Sequence, residues 1–261
     1  MSRRTVDLDF LALQRDGYAV LPGLVRAGEL DRFERDIAAL GTTLARRRGV
    51  DAGMREPIVA VLEAAGAHRA MLFEHIKHLY VLERLSGEIA AALEDAGLFR
   101  TIGVPAAWPT LRADLPGERT YTFPLHQDYA TTRCATAWRL WVPLRAVDEH
   151  HGSMAVVAGS HRGAPYAYVT ENTSYPHVAA EEIARRGLRL TNLALPAGDG
   201  VIFDPNLVHG SIPNQSQRTK WVLLMHVQDL ATFVDPDDAD DPLQQFLELT
   251  RRQRAAQAKA R

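Results

Sequence analysis

Phe123-Pro-Leu-His126-Gln-Asp128-Tyr129 is the most specific motif in the chain. It follows Arg119-Thr-Tyr-Thr-Phe123, whose alternation of polar and apolar side chains is typical of a β-strand. Residues i and i+2 of a strand point to the same side, so His126 and Asp128 can present an imidazole and a carboxylate to one ion. A third ligand is expected from a neighbouring strand much later in the chain, and His209 in Asp204–Asn214 meets that expectation.

Two histidines and one carboxylate bind one face of an octahedral metal and leave the other coordination positions open. This ligand set is typical of non-haem iron(II) oxygenases, in which a bidentate cosubstrate and dioxygen take the open positions. The sequence therefore predicts His126, Asp128 and His209 as both the metal ligands and the catalytic residues, with iron(II) as the metal.

Upstream of this stretch the sequence is mostly helical. The apolar residues Leu30, Phe33, Ile37, Leu40 and Leu44 recur every three or four positions, which marks one face of a helix. Gly97 is a plausible stop at the end of the block. By the same reasoning helices are predicted at Asp9–Arg15, Pro57–Ala65 and Ala70–Ala96, with a strand at Gly17–Pro22.

Beyond residue 100 the pattern changes to short runs bounded by Gly, Pro, Asn and Asp. Many of these runs are rich in β-branched and aromatic residues, as strands are. A helical block followed by a series of strands predicts an α+β fold with helices packed outside a β-sandwich or barrel. The predicted strands are Arg119–Leu125, Thr136–Leu144, Met154–Val157, Leu188–Leu195, Gly200–Phe203 and Lys220–Gln228.

Composition is that of an ordinary globular protein, with 261 residues, 46% hydrophobic, 24% charged and a formal net charge of −2. That charge gives no electrostatic reason to expect a nucleic acid or an anionic membrane as partner. One cysteine, Cys134, excludes an intrachain disulfide. With no secretory pattern, no long apolar run, no internal repeat and no linker, a single cytoplasmic domain over 1–261 is expected.

Three motifs extend over most of the chain: the opening Asp16-Gly-Tyr-Ala-Val-Leu-Pro-Gly-Leu24, Leu125-His-Gln-Asp128, and Gly198-Asp-Gly-Val-Ile-Phe-Asp204 leading into His209-Gly-Ser. In these motifs the chain resembles the phytanoyl-CoA dioxygenase-like branch of the 2-oxoglutarate oxygenases. In the middle segment, Glu149–His161, Ala158 replaces the family's proline.

The resemblance implies a double-stranded β-helix (jelly-roll) over about 101–230. N-terminal helices over about 1–100 would brace it, and a C-terminal tail would follow over about 235–261. It also implies 2-oxoglutarate and O2 as cosubstrates, with release of succinate and CO2. Asp128 disfavours halogenation, since halogenases usually have Gly or Ala at that position.

One departure from the family concerns the residue that binds the far carboxylate of 2-oxoglutarate. The family usually has an arginine there, and ungapped counting from Ser216 lands on Lys220. Arg218 lies two residues earlier and would offer a bidentate fork, whereas a lysine offers a point charge. Register favours Lys220 and side-chain chemistry favours Arg218, so both stay candidates, and Ser211 is assigned with them to cosubstrate binding.

The substrate is expected to be a small metabolite or natural-product intermediate, and hydroxylation is the default reaction. Two alternatives remain: a non-catalytic jelly-roll binding protein, and a cupin-type metalloenzyme that does not use 2-oxoglutarate. Arg139 shares a strand face with Trp141, and if that face lines the interior it needs an anionic partner, either the substrate or an acidic side chain. The alternative is an arginine on the surface of the sheet.

Overall fold

The computed structural model describes residues 6–104, 110–118, 122–128, 134–162, 166, 168–169 and 177–234. Among these residues five helices precede the main run of strands, in the block where the sequence predicts four. The described helices are α1 (Phe10–Asp16), α2 (Ala27–Arg48), α3 (Pro57–Ala64), α4 (Arg69–Ile76), α5 (Tyr80–Asp95) and α6 (Ala180–Arg185). None of them combines the length and apolar character that crossing a lipid bilayer requires.

The helix ends follow local sequence chemistry. At the start of α1 the Asp9 carboxylate accepts a hydrogen bond from the Ala12 N–H at 2.9 Å, which satisfies a donor that the helix leaves open. Gly17 ends α1 at a φ of 83°, a left-handed conformation that favours glycine. The chain can therefore turn directly from α1 into the first strand.

The single helix predicted at Ala70–Ala96 is wrong, because the structure has two helices there. The backbone N–H groups of His78 and Leu79 bond to carbonyls three residues back, which tightens and ends α4. Leu79 then takes an extended conformation (φ −58°, ψ 123°) before α5 begins. No glycine or proline marks this break, so the apolar pattern alone cannot reveal it.

The strands form two principal antiparallel sheets. Their bounds are β1 (Tyr18–Leu21), β2 (Ile102–Gly103), β3 (Thr110–Asp114), β4 (Ala137–Pro143), β5 (Met154–Val157), β6 (Tyr168–Val169), β7 (His177–Val178), β8 (Leu190–Leu193), β9 (Gly200–Phe203), β10 (His209–Ser211) and β11 (Lys220–Asp229). The larger sheet has the order β1-β9-β4-β11-β2, with β3 also paired to β11, and the smaller has the order β10-β5-β8. A short pair, β6 with β7, lies apart.

Strand β11 separates two apolar cores. Its residues Trp221, Leu223, Met225 and Val227 are fully buried against the helices on the outer face of the large sheet. The Trp221 ring meets Phe33 of α2 edge-on, at 5.8 Å between centroids. The alternate residues face the smaller sheet, since successive strand residues point to opposite faces.

The second core fills the space between the two sheets. Trp141 and Val222 of the large sheet cluster there with Met154, Val156 and Leu193 of the small sheet. Two antiparallel sheets around one apolar core, with helices packed on the outside, make this an α+β jelly-roll. The predicted fold class is confirmed.

Two details of the strand prediction differ from the structure. In the predicted strand Arg119–Leu125, residues 122–125 lie outside any regular strand, and 119–121 lie outside the described residues. The segment instead meets β10 through irregular bonds, such as the Ser211 N–H to the Phe123 carbonyl at 2.8 Å. Strands β2, β3, β6 and β7 and helix α6 were not predicted. The C-terminal tail at 235–261 lies outside the described residues.

Candidate metal centre

Backbone pairing sets the two histidines of the predicted site directly opposite each other. The His126 N–H donates to the His209 carbonyl at 2.8 Å, and the His209 N–H returns a bond to the His126 carbonyl at 3.0 Å. Gly210 permits this close approach, because a Cβ there would lie 3.1 Å from the backbone of Pro124 and Leu125. The imidazole centroids are 4.3 Å apart as a result.

Asp128 reaches the same point although it lies outside a regular strand. Its N–H donates to the Pro205 carbonyl at 2.7 Å, which continues the pairing beyond His126. Gln127 between them points away and donates from Nε2 to the Asn206 carbonyl at 2.6 Å. The alternation expected from His-x-Asp therefore holds, and it brings Asp128 Oδ1 to 3.4 Å from His126 Nε2.

The three side chains offer ligand atoms that all lie within 4.8 Å of one another. His126 Nδ1 lies 2.7 Å from the Pro124 carbonyl, and His209 Nδ1 lies 3.0 Å from the Leu207 carbonyl. A carbonyl only accepts, so each Nδ1 must carry the proton, and each Nε2 keeps its lone pair. The Nε2 atoms are the ones that face Asp128, at 3.4 and 3.8 Å. This donor set fits a divalent iron ion.

Burial and neighbouring charge set the protonation states that such a ligand set needs. Burial, helped by the neighbouring His126, lowers the pKa of His209 to about 4, so its ring is neutral at pH 7. Burial alone would raise the pKa of Asp128. The contacts with the His126 and His209 rings, together with the charge of the Arg139 guanidinium, more than offset it and hold that pKa well below its ordinary value. The carboxylate is therefore ionised.

Arg139, which the strand pattern leaves either in the interior or on the sheet surface, is buried. It is only 3% exposed, its Nε lies 3.5 Å from Asp128 Oδ2, and its Nη2 donates to the Asp128 carbonyl at 3.1 Å. Of the two alternatives that the sequence leaves open, an interior arginine with an acidic partner is the one the structure has.

A cavity of about 270 Å³ opens from the three ligands into the jelly-roll interior. Its walls are largely apolar, with Trp141, Met154, Phe203 and Leu224 among them. Ser211 and Arg112 also line it. Strand β3 was absent from the sequence prediction, so Arg112 was not anticipated as a residue of the site.

The two basic residues that the sequence favoured as cosubstrate anchor are not among the described residues that line this cavity. Arg218 is exposed. Lys220 is 4% exposed, its Nζ pairs with the Asp114 carboxylate, and it donates to the Gly152 carbonyl at 2.7 Å. Burial lowers the pKa of Lys220, an effect that Asp114 opposes.

Comparison with known sequences gives one family. The profile of the family described as Phytanoyl-CoA dioxygenase (PhyH) matches residues 13–222. Peroxisomal phytanoyl-CoA dioxygenase of Bos taurus is 23% identical over 245 residues, which are 83% of this chain and 66% of the bovine protein. The Homo sapiens protein is also 23% identical, over 85% of this chain and 70% of its own length. The chain thus spans about two thirds of the length of these relatives.

Solved structures show the same fold. The epimerase SnoN, in complex with Fe3+, alpha ketoglutarate and nogalamycin RO, superposes with a TM-score of 0.56 at 20% identity, covering 88% of this chain and 86% of SnoN. EctD from S. alaskensis, with 2-oxoglutarate and 5-hydroxyectoine, gives 0.52 at 20% identity over 91% of this chain and 81% of EctD. At this level of identity the likeness establishes the fold.

Proposed function

This chain belongs to the phytanoyl-CoA dioxygenase family, and we propose that it is an iron(II)- and 2-oxoglutarate-dependent oxygenase that hydroxylates a small molecule. One oxygen atom of O2 would enter the substrate C–H bond and the other would enter succinate, with release of CO2. The observation that carries the proposal is the convergence of His126, Asp128 and His209 in the wall of a mostly apolar cavity.

In this mechanism His126 and His209 would hold iron through Nε2, while Asp128 would add a negative charge to the ligand set. An iron ion held there would supply the redox chemistry that dioxygen activation with a 2-oxo acid needs. The cavity beside the three side chains would give the cosubstrate room. Trp141, Met154 and Leu224 line that cavity, and such apolar walls would keep bulk water away from the reacting atoms.

Room for a substrate lies beside the metal cavity. A recess of about 350 Å³ between α4 and β3 shares Arg112, Phe123 and Leu224 with it, and Phe73 and Ala70 line its far side. A recess of this size and apolar character suits a small organic substrate. SnoN and EctD were crystallised with nogalamycin RO and 5-hydroxyectoine, which supports a substrate of this class. The cytoplasmic location expected from the sequence remains a prediction.

Iron content and succinate release test the proposal together. We expect one iron per chain in the native protein, and succinate formation from 2-oxoglutarate with an accepted member of a metabolite panel. His209→Ala should lose both, because a three-point site is left with two ligands. His75→Ala is the matched control, since His75 is exposed on α4 and should keep both.

Full iron occupancy in the His209→Ala protein would contradict the assignment of that ligand. An iron-loaded native protein that never forms succinate would point instead to a metalloenzyme of the cupin type, and a native protein without iron would point to a binding protein.

A further inference from the structure

The far carboxylate of 2-oxoglutarate needs a cation in or beside the metal cavity, and the final strand does not offer a free one. The Lys220 ammonium is already bound to the Asp114 carboxylate and to the Gly152 carbonyl. Arg218 is exposed and lines a separate small recess. Both candidates that the sequence favoured are therefore poorly placed to meet a carboxylate in the cavity.

Arg112 on β3 is the cation that the cavity does contain in an available state. Its Nε donates to Asp114 Oδ1 at 2.9 Å, and its guanidinium stacks over the Phe123 ring at 4.5 Å from the centroid. These two contacts fix the plane of the group. Its Nη2 atom is buried, yet among the residues that the structure describes it donates to no acceptor. A buried donor without an acceptor lowers the stability of the folded protein unless a ligand accepts its hydrogen bond.

Strand register puts Arg112 on the metal side of the Lys220 pair. Lys220 lies opposite Asp114, and the next interior-facing pair towards the metal is Val222 opposite Arg112. At about 3.3 Å per residue, this pair is about 7 Å closer to the metal end of the sheet. A short dicarboxylate chelated at the metal would meet Arg112 first.

The local charges match one additional carboxylate. Asp114 contacts both Arg112 and Lys220, so these three groups together carry one net positive charge. The other charged groups that line the cavity in the described part of the chain, Arg139 and Asp128, are engaged with each other at the metal end. A single carboxylate at Arg112 would bring the group to neutrality, which a buried site favours.

We propose that Arg112, rather than a residue of the final strand, binds the far carboxylate of the 2-oxo acid cosubstrate. This inference rests on the proposed function, since it assumes that a 2-oxo acid chelates the metal. Asp114 orients the guanidinium fork, and Lys220 keeps Asp114 from neutralising it fully. The role that other family members give to an arginine at the Lys220 position has moved to a neighbouring strand.

Calorimetric titration of the Mn(II)-loaded protein with two 2-oxo acids tests this without relying on turnover. The first is 2-oxoglutarate, and the second is 2-oxopentanoate, which has the same chain length but lacks the far carboxylate. Arg112→Gln keeps most of the side-chain volume and removes the charge. We expect it to weaken 2-oxoglutarate binding by about 30-fold or more, the effect of truncating one partner of a buried charge pair. Binding of 2-oxopentanoate should change less than about threefold.

Three further variants sharpen the result. Arg218→Gln, the matched change at an exposed arginine, should leave both titrations unchanged. Arg112→Lys should fall between the native protein and Arg112→Gln, since it restores the charge without the fork. Lys220→Gln should weaken 2-oxoglutarate binding less than Arg112→Gln does.

Retained 2-oxoglutarate affinity in Arg112→Gln overturns the assignment. Equal losses for both acids do so as well, because the effect would then not pass through the far carboxylate. A reversed order of Arg112→Gln and Lys220→Gln would return the role to the final strand. Failure of the native Mn(II) protein to bind either acid would instead reject the proposed function itself, and the two failures are thereby distinguished.

Discussion

Asp128 carries the only negative charge among the three metal-site residues, and Arg139 lies 3.5 Å from its Oδ2. Removal of the carboxylate therefore does two things at once. It takes a ligand from the metal, and it leaves the Arg139 charge without this partner beside the position of a cation. The second effect should oppose metal binding electrostatically, because the local charge would then be positive.

Asp128→Gly is accordingly expected to open a coordination position without keeping hydroxylation, and to lower iron content by an order of magnitude or more. The double variant Asp128→Gly, Arg139→Met removes the unbalanced charge and should recover part of the iron. Metal analysis and succinate release measure both. Native turnover in Asp128→Gly would mean that Asp128 is not a ligand.

The sequence identifies side chains that local spacing brings together, and it does not identify those that strand pairing brings together. His-x-Asp and a distant His-Gly-Ser are readable because each ligand sits in a short motif. Arg112 cannot be identified from such a motif, because β3 is only five residues long and two of its side chains are charged. That Arg112 meets the cavity follows from its register against Val222, which no local pattern encodes.

Helices α2 and α3 meet at a glycine, and this contact sets how closely the outer helical layer packs. A Cβ built on Gly41 of α2 would lie 2.5 Å from the backbone nitrogen of Ile58 in α3. Gly87 lies in the interior of α5, where a Cβ would meet nothing within 4 Å. The same substitution should therefore have opposite effects at the two positions.

Gly87→Ala should stabilise the protein by about 0.5–1 kcal/mol, since alanine loses less backbone entropy in a helix. Gly41→Ala should destabilise it by about 1–3 kcal/mol, because the helices must separate to admit the methyl group. Chemical denaturation of both variants measures the difference. A stabilised Gly41→Ala protein would show that α3 shifts at little cost.

Helices and strands with a strong apolar periodicity were predicted well, and those with a weak one were not. Helix α2 and strands β4, β5, β9 and β11 were predicted within a few residues, because each buries a regular face. The interruption between α4 and α5 has no turn residue to mark it. Residues 122–125 take an irregular path because bonds to β10 replace a strand ladder there.

Ligand binding should raise the free energy of unfolding and the Tm of the protein. Under the proposed function, iron(II) and 2-oxoglutarate would bind the native chain only, since the ligands come from distant segments that unfolding separates. At 100 times the dissociation constant such binding adds about 2.7 kcal/mol. For a chain of this size that corresponds to a rise in Tm of about 5–11 °C.

Anaerobic thermal melts with and without Fe(II) and 2-oxoglutarate measure this rise, and a chelator should reverse it. The His209→Ala protein should show little or none of it. An equal rise in that variant would mean that the stabilising metal binds at some other place on the chain.

The overall architecture was largely predictable, because a helical block followed by a series of strands has few ways to bury its apolar faces. What the order of elements does not predict is that β1, from within the helical block, pairs with β9 at the edge of the large sheet. Gly17–Pro22 reads as a strand, but its partner lies far beyond the range of any sequence pattern.

The pairing of β1 with β9 also has a consequence during synthesis on the ribosome. Translation adds about 5–20 residues per second, so roughly 10–40 s pass between the emergence of Tyr18 and that of its register partner Phe203. Over that interval β1 has no partner strand, and the helices have no sheet against which to bury their apolar faces. Contacts between residues this far apart in sequence also form slowly during folding. A stalled or truncated nascent chain that ends before β9 would therefore expose unpaired strand edges and apolar surface, and it would have no active site. Recovery of soluble protein should then depend on chaperone capacity.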